Sequence, residues 1–87
     1  MYVRVCGLPE ELHKLRDTTG LSWEAIAQQS NMTAAALHGI MREDRTRKFT
    51  SNGRVYKGIR VQEETLKALI AVYTKQIGHK PSVRVLM

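Results

Sequence analysis

The sequence predicts an all-α domain of four to five short helices, and it leaves open a β-hairpin at 47–57 and short strands at the two termini. The chain has 87 residues, which fits one domain and leaves no room for a second core. Hydrophobic residues make up 43% of the sequence and charged residues 25%, which is the composition of a folded protein. Four segments also carry apolar residues at helical spacing. We therefore expect a single domain over 1–87, with its core at 8–78 and a tail at 79–87.

The first and last helices have the clearest apolar spacing. The first is predicted over 9–18, where Pro9 suits the first turn and Gly20 the C-terminal stop. Its apolar positions are Leu8, Leu12 and Leu15. The last is predicted over 62–77 and ends at Gly78. Its apolar positions are Leu66, Leu69, Ile70, Tyr73 and Ile77.

Two shorter helices are predicted between them, over 23–29 and 34–41. Ser22 and Thr33 stand at the positions where a side-chain oxygen caps the first free N–H groups of a helix. Asn31 lies in the break, and asparagine tolerates the left-handed backbone conformation that a tight turn requires. This part of the chain is thus predicted as a helix, a short turn and a second helix.

The stretch 42–60 has no helical period. Asn52 and Gly53 lie between β-forming residues and favour a hairpin within 47–57, because both turn residues accept a positive φ. An irregular loop with one tight turn is the alternative, since an isolated two-stranded hairpin is marginal in water.

The positive charge is concentrated in the same stretch. The formal net charge is +6, from 14 Lys and Arg against 8 Asp and Glu. Residues 42–60 hold seven of these cations against two carboxylates, a net of +5. Such a cluster favours a polyanion as partner, because each neutralised phosphate releases condensed counterions. A solvated cationic loop is the alternative.

Other classes of function lack their residues in this sequence. Cys6 is the only cysteine, and neither His13 nor His79 joins it at metal-ligand spacing, so we assign no disulfide, metal or cofactor. No arrangement of nucleophile, base and acid is visible, so we expect neither an enzyme nor a small-molecule substrate. No apolar run approaches the roughly 20 residues of a membrane span, and no secretion signal begins the chain. We expect a cytoplasmic protein, nucleoid-associated in a bacterial host.

The two short helices and the turn between them carry a family resemblance. The residues on which it rests are Leu21, Ser22, Ala27, Asn31, Met32 and Thr33. This pattern resembles the helix-turn-helix of the Cro and phage-repressor (Xre-type) family, over residues 8–77. The segment 58–66 is similar to the entry to the last helix in regulators of actinobacteria and their phages. The sequence departs from the family at Asn31, where glycine is usual, and at Trp23, where glutamine is frequent.

The resemblance implies sequence-specific binding of double-stranded DNA by a small transcriptional regulator, a repressor of the Cro or phage-repressor type. In that geometry the helix 34–41 enters the major groove. The residues that then face base edges are Thr33, Ala34, Ala35, His38 and Gly39. The residues that then contact the DNA backbone are Trp23, Arg42, Arg45, Arg47, Lys48, Arg54 and Lys57. For Trp23, packing against the protein itself is the alternative.

Two further expectations concern partners. Symmetric operators call for a homodimer with half-sites about one helical turn apart. We expect its seam at a tail strand over 82–86, paired with residues 2–5, because both segments alternate between apolar and polar side chains. A disordered end is the alternative for the tail, and part of the apolar stripe from Leu66 to Ile77 is the alternative for the seam. In a different class of function, the domain is a protein-interaction module, either a phage factor that binds a host protein or an antitoxin. The basic stretch would then meet an acidic partner.

Overall fold

The computed structural model describes residues 1–42 and 47–86. In this part of the chain the fold is α+β, with four helices packed against a four-stranded antiparallel sheet. The prediction of an all-α domain is therefore wrong. The hairpin and the terminal strands join into one sheet, and strand formation depends on pairing between distant residues, which no local window of sequence reveals.

The helices lie where their apolar spacing predicts them. They are α1 (Leu8–Thr19), α2 (Trp23–Gln29), α3 (Ala34–Met41) and α4 (Glu63–Ile77). α1 and α4 end as predicted at Gly20 and Gly78, whose φ angles of 74° and 97° lie in the left-handed region. Among these described helices, none combines the length and the apolar character needed to cross a membrane.

The strands of the described fold are β1 (Tyr2–Cys6), β2 (Arg47–Ser51), β3 (Arg54–Gln62) and β4 (Arg84–Leu86). Their order in the sheet is β2-β3-β1-β4, and each neighbouring pair is antiparallel. β2 and β3 form a hairpin within the segment where the sequence favours one. Its turn residues Asn52 and Gly53 have φ angles of 52° and 77°, as a tight hairpin turn requires.

β3 joins the hairpin to the rest of the sheet. Its first half pairs with β2, from Ser51 opposite Arg54 to Arg47 opposite Gly58, and its second half pairs with β1. Gly58 stands at the junction, where a Cβ atom would lie 2.6 Å from the carbonyl oxygen of Val5. A contact that short would force the strands apart, so the close approach of β1 and β3 requires glycine here.

The tail pairs with the N-terminal strand within the same chain, whereas the sequence suggests this pairing only as part of a dimer seam. β4 lies antiparallel to β1, with Val85 opposite Val5 and Arg84 opposite Cys6. β4 is three residues long and stands last in the order of the sheet. The homodimer that the sequence places at this strand stays a prediction.

A carboxylate ties the tail to two helices. Glu11 of α1 accepts a 2.9 Å hydrogen bond from the hydroxyl of Tyr73 in α4 and a 3.0 Å bond from the N–H of Ser82. Tyr73 is only 1% exposed. Burial raises the pKa of its hydroxyl, and the hydrogen bond and negative charge of Glu11 raise it further. Glu11 therefore connects α1, α4 and the start of the tail.

The helices cover one face of the sheet. On this face Val5, Ile59 and Val61 are buried. They form a single core with residues of all four helices, namely Leu8, Leu12, Leu15, Ile26, Ala27, Leu37, Ile40, Leu66, Leu69, Val72 and Tyr73. The opposite face of the sheet, which we call the outer face, is turned to solvent. Arg4 and Arg60 lie opposite each other in β1 and β3 on this outer face, and both are exposed.

Candidate nucleic-acid interface

α2 and α3 form a pair of helices that are capped as the sequence predicts. The Ser22 hydroxyl accepts a 3.1 Å hydrogen bond from the N–H of Ala25 at the start of α2. The Thr33 hydroxyl accepts one of 3.1 Å from the N–H of Ala36 at the start of α3. Each bond satisfies an N–H group that a helix leaves unpaired in its first turn, so both helices begin at defined residues.

The turn between α2 and α3 is fixed by hydrogen bonds. The N–H of Met32 donates to the carbonyl of Ala27 at 3.0 Å, and the buried hydroxyl of Ser30 donates to the carbonyl of Ile26 at 2.9 Å. Asn31 takes the left-handed conformation at φ 57°, as predicted. These contacts hold α3 in a defined position relative to α2.

One side of α3 is buried and the other faces solvent. Leu37 and Ile40 belong to the core, whereas Ala35 and His38 are exposed. Ala35 and His38 are three residues apart and therefore share one face of the helix. The exposed Arg42 follows at the C-cap. This face is the part of α3 that the groove of a nucleic acid can reach.

The predicted base-reading residues are divided between this exposed face and its flanks. Ala35 and His38 lie on the face, while Ala34 and Gly39 are half-buried beside it. Thr33 is exposed, but its oxygen already accepts the capping hydrogen bond. Its O–H is then the group available as a donor. Of the five predicted residues, Ala35 and His38 are therefore the ones that lie fully on the exposed face.

Trp23, predicted as a contact to the DNA backbone, makes the contacts of a packing residue. Its ring is half-buried and packs against the core. The ring of His13 meets it edge-on with 5.3 Å between centroids, and the guanidinium carbon of Arg16 lies 5.2 Å from its centroid. The alternative given for Trp23, packing against the protein itself, accounts for these contacts.

The strands hold the excess positive charge of the molecule. Within the described residues, the strands contain seven Lys and Arg and no Asp or Glu, and all seven side chains are exposed. The seven are Arg4, Arg47, Lys48, Arg54, Lys57, Arg60 and Arg84. Because the whole chain has a net charge of +6, the residues outside the strands together have a net charge of −1. The charge that the sequence assigns to a loop is therefore a property of the sheet.

Because side chains alternate along a strand, the lysines and the arginines lie on opposite faces of the sheet. Lys48 lies opposite Lys57, and both point to the side of the sheet that carries the core. The arginines point to the outer face, and they are Arg4, Arg47, Arg54, Arg60 and Arg84. The two faces of the sheet thus differ in the kind of cation that they present.

This alternation separates backbone contacts that the sequence predicts as one group. Lys48 and Lys57 point to one side of the hairpin, and Arg47 and Arg54 to the other. Arg45 lies outside the described residues. The pairing of β2 with β3 determines this separation, and the amino-acid sequence alone does not give that register.

Sequence reasoning missed three cations of the outer face. They are Arg4, Arg60 and Arg84, which come from three different strands. A signal for the first of them is present in the sequence, because Val3 and Val5 alternate with Tyr2 and Arg4. The other two join it only through strand pairing.

A groove of about 480 Å³ connects the end of α3 with the sheet. It is lined by Ile40 of α3 and by Tyr2, Arg47, Ile59 and Arg60 of the strands. Its two arginines bring positive charge next to the C-terminal end of α3. Tyr2, Arg47 and Arg60 point to the outer face of the sheet, so the groove lies between the end of α3 and that face.

Comparisons with protein-family models, with curated proteins and with solved structures give no match for this chain. The resemblance to the Cro and phage-repressor family is therefore carried by the residues of the helix pair and stays a prediction. The observations on which a function can rest are the fixed helix pair, the exposed face of α3 and the cationic hairpin.

Proposed function

We propose that this protein binds double-stranded DNA with sequence specificity and acts as a transcriptional regulator, a repressor that occupies its operator. The observation that carries the proposal is the exposed, small-residue face of α3 beside a hairpin with exposed cations. A helix with small side chains can approach the floor of the major groove, while neighbouring cations neutralise the phosphates.

Base reading in this proposal rests on a short set of side chains. The methyl group of Ala35 suits contact with the methyl group of thymine. The ring nitrogens of His38 donate or accept hydrogen bonds, and the guanidinium of Arg42 is suited to the O6 and N7 atoms of guanine. We expect His38→Ala to relax specificity at one or two base pairs, each worth about 1–3 kcal/mol, without abolishing binding.

The paired lysines of the hairpin are the proposed contacts to phosphates. Lys48 and Lys57 are direct partners across β2 and β3, and like charges in that arrangement destabilise a sheet. A phosphate placed near both ammonium groups relieves the repulsion. Such a pair is therefore better suited to the backbone of a nucleic acid than to the stability of the free protein.

We propose further that the operator is bound by a homodimer formed through β4. Its place at the end of the sheet order and the 40% exposure of Val85 support this. A second copy of the strand can add to such an edge through main-chain hydrogen bonds. Val85→Lys should then give a monomer by light scattering, because charged side chains on an edge strand oppose pairing. Val55→Lys, at a 65% exposed position of the hairpin, is the matched control and should leave the mass unchanged.

Selection from a random pool of duplexes tests the proposed function. The expected result is one enriched motif with two half-sites about one helical turn apart, which His38→Ala still selects with a relaxed position in each half-site. No enrichment, together with no duplex binding at low salt, would contradict the proposal. That result would favour a protein-interaction module whose cationic hairpin meets an acidic partner.

A further inference from the structure

The outer face of the sheet carries three arginine–aromatic pairs that the proposed duplex contacts do not use. The pairs, with the distance from guanidinium carbon to ring centroid, are Arg4 on Phe49 (5.0 Å), Arg60 on Tyr2 (5.2 Å) and Arg84 on Tyr56 (5.2 Å). All three distances are within the range of a cation–π interaction. We call these six residues the arginine–aromatic face.

The arginine–aromatic face is continuous because each pair joins two different strands. Arg4 of β1 reaches Phe49 of β2, and Arg84 of β4 reaches Tyr56 of β3. Arg84 also donates a 2.6 Å hydrogen bond from Nη1 to the hydroxyl of Tyr56. These contacts cross all the strands of the described sheet and hold the planar groups in place over it.

The face is open to solvent and has one sign of charge. The arginines of the three pairs are exposed, and the ring of Tyr2 is 57% exposed. The rings of Phe49 and Tyr56 are half-buried. Since the strands contain no Asp or Glu, the outer face of the described sheet presents cations and rings without an opposing carboxylate of its own.

The choice of arginine over lysine on this face indicates stacking. A guanidinium is planar and weakly hydrated, so it stacks on rings while its N–H edges stay free for phosphates, whereas an ammonium is a hydrated point charge. The strand lysines, Lys48 and Lys57, are both on the opposite side. Surfaces that combine aromatic rings with cations bind unpaired nucleic acid, because the bases stack on planar groups and the cations follow the backbone.

We propose that the arginine–aromatic face binds single-stranded DNA. Bases stack on the exposed ring of Tyr2 and on the guanidinium planes, and the outward N–H groups of the arginines contact phosphates. Duplex DNA does not fit this face, because its base planes are covered by their neighbours in the stack. The choice of DNA over RNA rests on the proposed function, since a protein that binds a DNA duplex meets the single strands of the same polymer wherever that duplex opens.

Fluorescence anisotropy with a labelled oligothymidine of about 12 nucleotides tests the proposal at low salt. The wild-type protein should bind, and Tyr2→Ala should weaken binding about tenfold, the loss expected for one stacked base. Tyr2→Phe keeps the ring and should bind as the wild type does. Arg60→Lys keeps the charge but not the plane, and should weaken binding by about threefold or more. Circular dichroism of each variant confirms that it is folded.

Three outcomes would overturn the proposal. The first is equal affinity of the wild type and Tyr2→Ala for the oligothymidine. The second is that inorganic polyphosphate, added at the same concentration of charge, competes as strongly as unlabelled oligothymidine. This would show that the face recognises charge alone. The third is binding of oligouridine more than about tenfold tighter, which would assign the face to RNA.

The two proposals fail separately in a duplex assay. Tyr2→Ala should leave affinity for double-stranded DNA unchanged, whereas Lys48→Gln with Lys57→Gln should lower it. If the lysine variant loses duplex binding but Tyr2→Ala binds single strands as the wild type does, the proposal for the outer face is wrong and the proposed phosphate contacts stand. If Tyr2→Ala weakens binding of single strands but the lysine variant binds the duplex as the wild type does, the proposed phosphate contacts are wrong and the proposal for the outer face stands.

Discussion

The paired lysines of the hairpin make the proposed phosphate contacts measurable through salt. Lys48→Gln with Lys57→Gln removes two charges that lie opposite each other on one side of β2 and β3. One phosphate lies near the lysine pair of each protomer, so the proposed homodimer makes two such contacts. Each contact contributes about 0.9 to the slope of log affinity against log salt, so the slope should flatten by about 1.8. Over a fourfold rise in salt, from about 50 to about 200 mM, the wild type should therefore lose about 12 times more affinity than the variant.

The same substitution should not destabilise the free protein. Like charges directly opposite in a sheet cost about 0.2–1 kcal/mol, and glutamine removes that repulsion. Urea denaturation should therefore give a free energy of unfolding equal to or slightly above that of the wild type. A weaker complex then reports lost phosphate contacts and not partial unfolding.

Lys14→Gln with Lys80→Gln is the matched control. Both residues are exposed and lie outside the strands, and the change in net charge is the same. Its salt dependence should run parallel to that of the wild type. If the slope of the hairpin variant is also parallel to that of the wild type, the lysines make no contact with phosphate and the proposed contacts are wrong.

Three further predictions concern the fold that positions these surfaces. Gly58→Ala should cost about 1–3 kcal/mol in urea denaturation, because its Cβ atom would press on the carbonyl of Val5. Asn31→Ala should cost about 1 kcal/mol through its left-handed backbone, whereas Asn31→Gly should be tolerated. The raised pKa of Tyr73 means that its stabilising effect is complete below the unfolded value of 10.0 and is lost as pH rises through the folded pKa. Tyr73→Phe should therefore reduce the loss of stability at alkaline pH, which thermal unfolding across that pH range measures. If the loss is the same in the variant, other groups cause it.

The helical part of the fold is predictable from the sequence because its determinants are local. Apolar spacing, the caps at Ser22 and Thr33 and the stops at Gly20 and Gly78 each act within a few residues, and the observed helices follow them. The left-handed Asn31 follows in the same way, since the turn needs a residue that accepts a positive φ.

The sheet is not predictable in the same way because its partners are distant in the chain. Val5 is opposite Ile59 on one side and opposite Val85 on the other, and neither pairing leaves a local pattern. The hairpin gains the stability that it lacks alone when its long strand β3 extends onto β1. For this reason the all-α prediction fails although every helix was located.

The candidate site is likewise predictable where it depends on neighbouring residues and not where it depends on strand pairing. The exposed face of α3 is predictable from helix geometry, and Ala35 and His38 lie on it. The grouping of cations is not readable, because strand register puts Lys48 and Arg47 on opposite sides of the hairpin. The sequence therefore predicts one basic segment, whereas in the structure its lysines and its arginines lie on opposite faces of the sheet.

We propose that duplex DNA contacts α3 and the lysine side of the hairpin. NMR measurement of amide chemical shifts during titration of labelled protein with a selected duplex tests this contact surface. We expect the amides of Ala35, His38, Lys48 and Lys57 to shift together at one affinity, while that of Tyr2 on the outer face stays in place. Shifts confined to other parts of the molecule, or no shift at low salt, would contradict it.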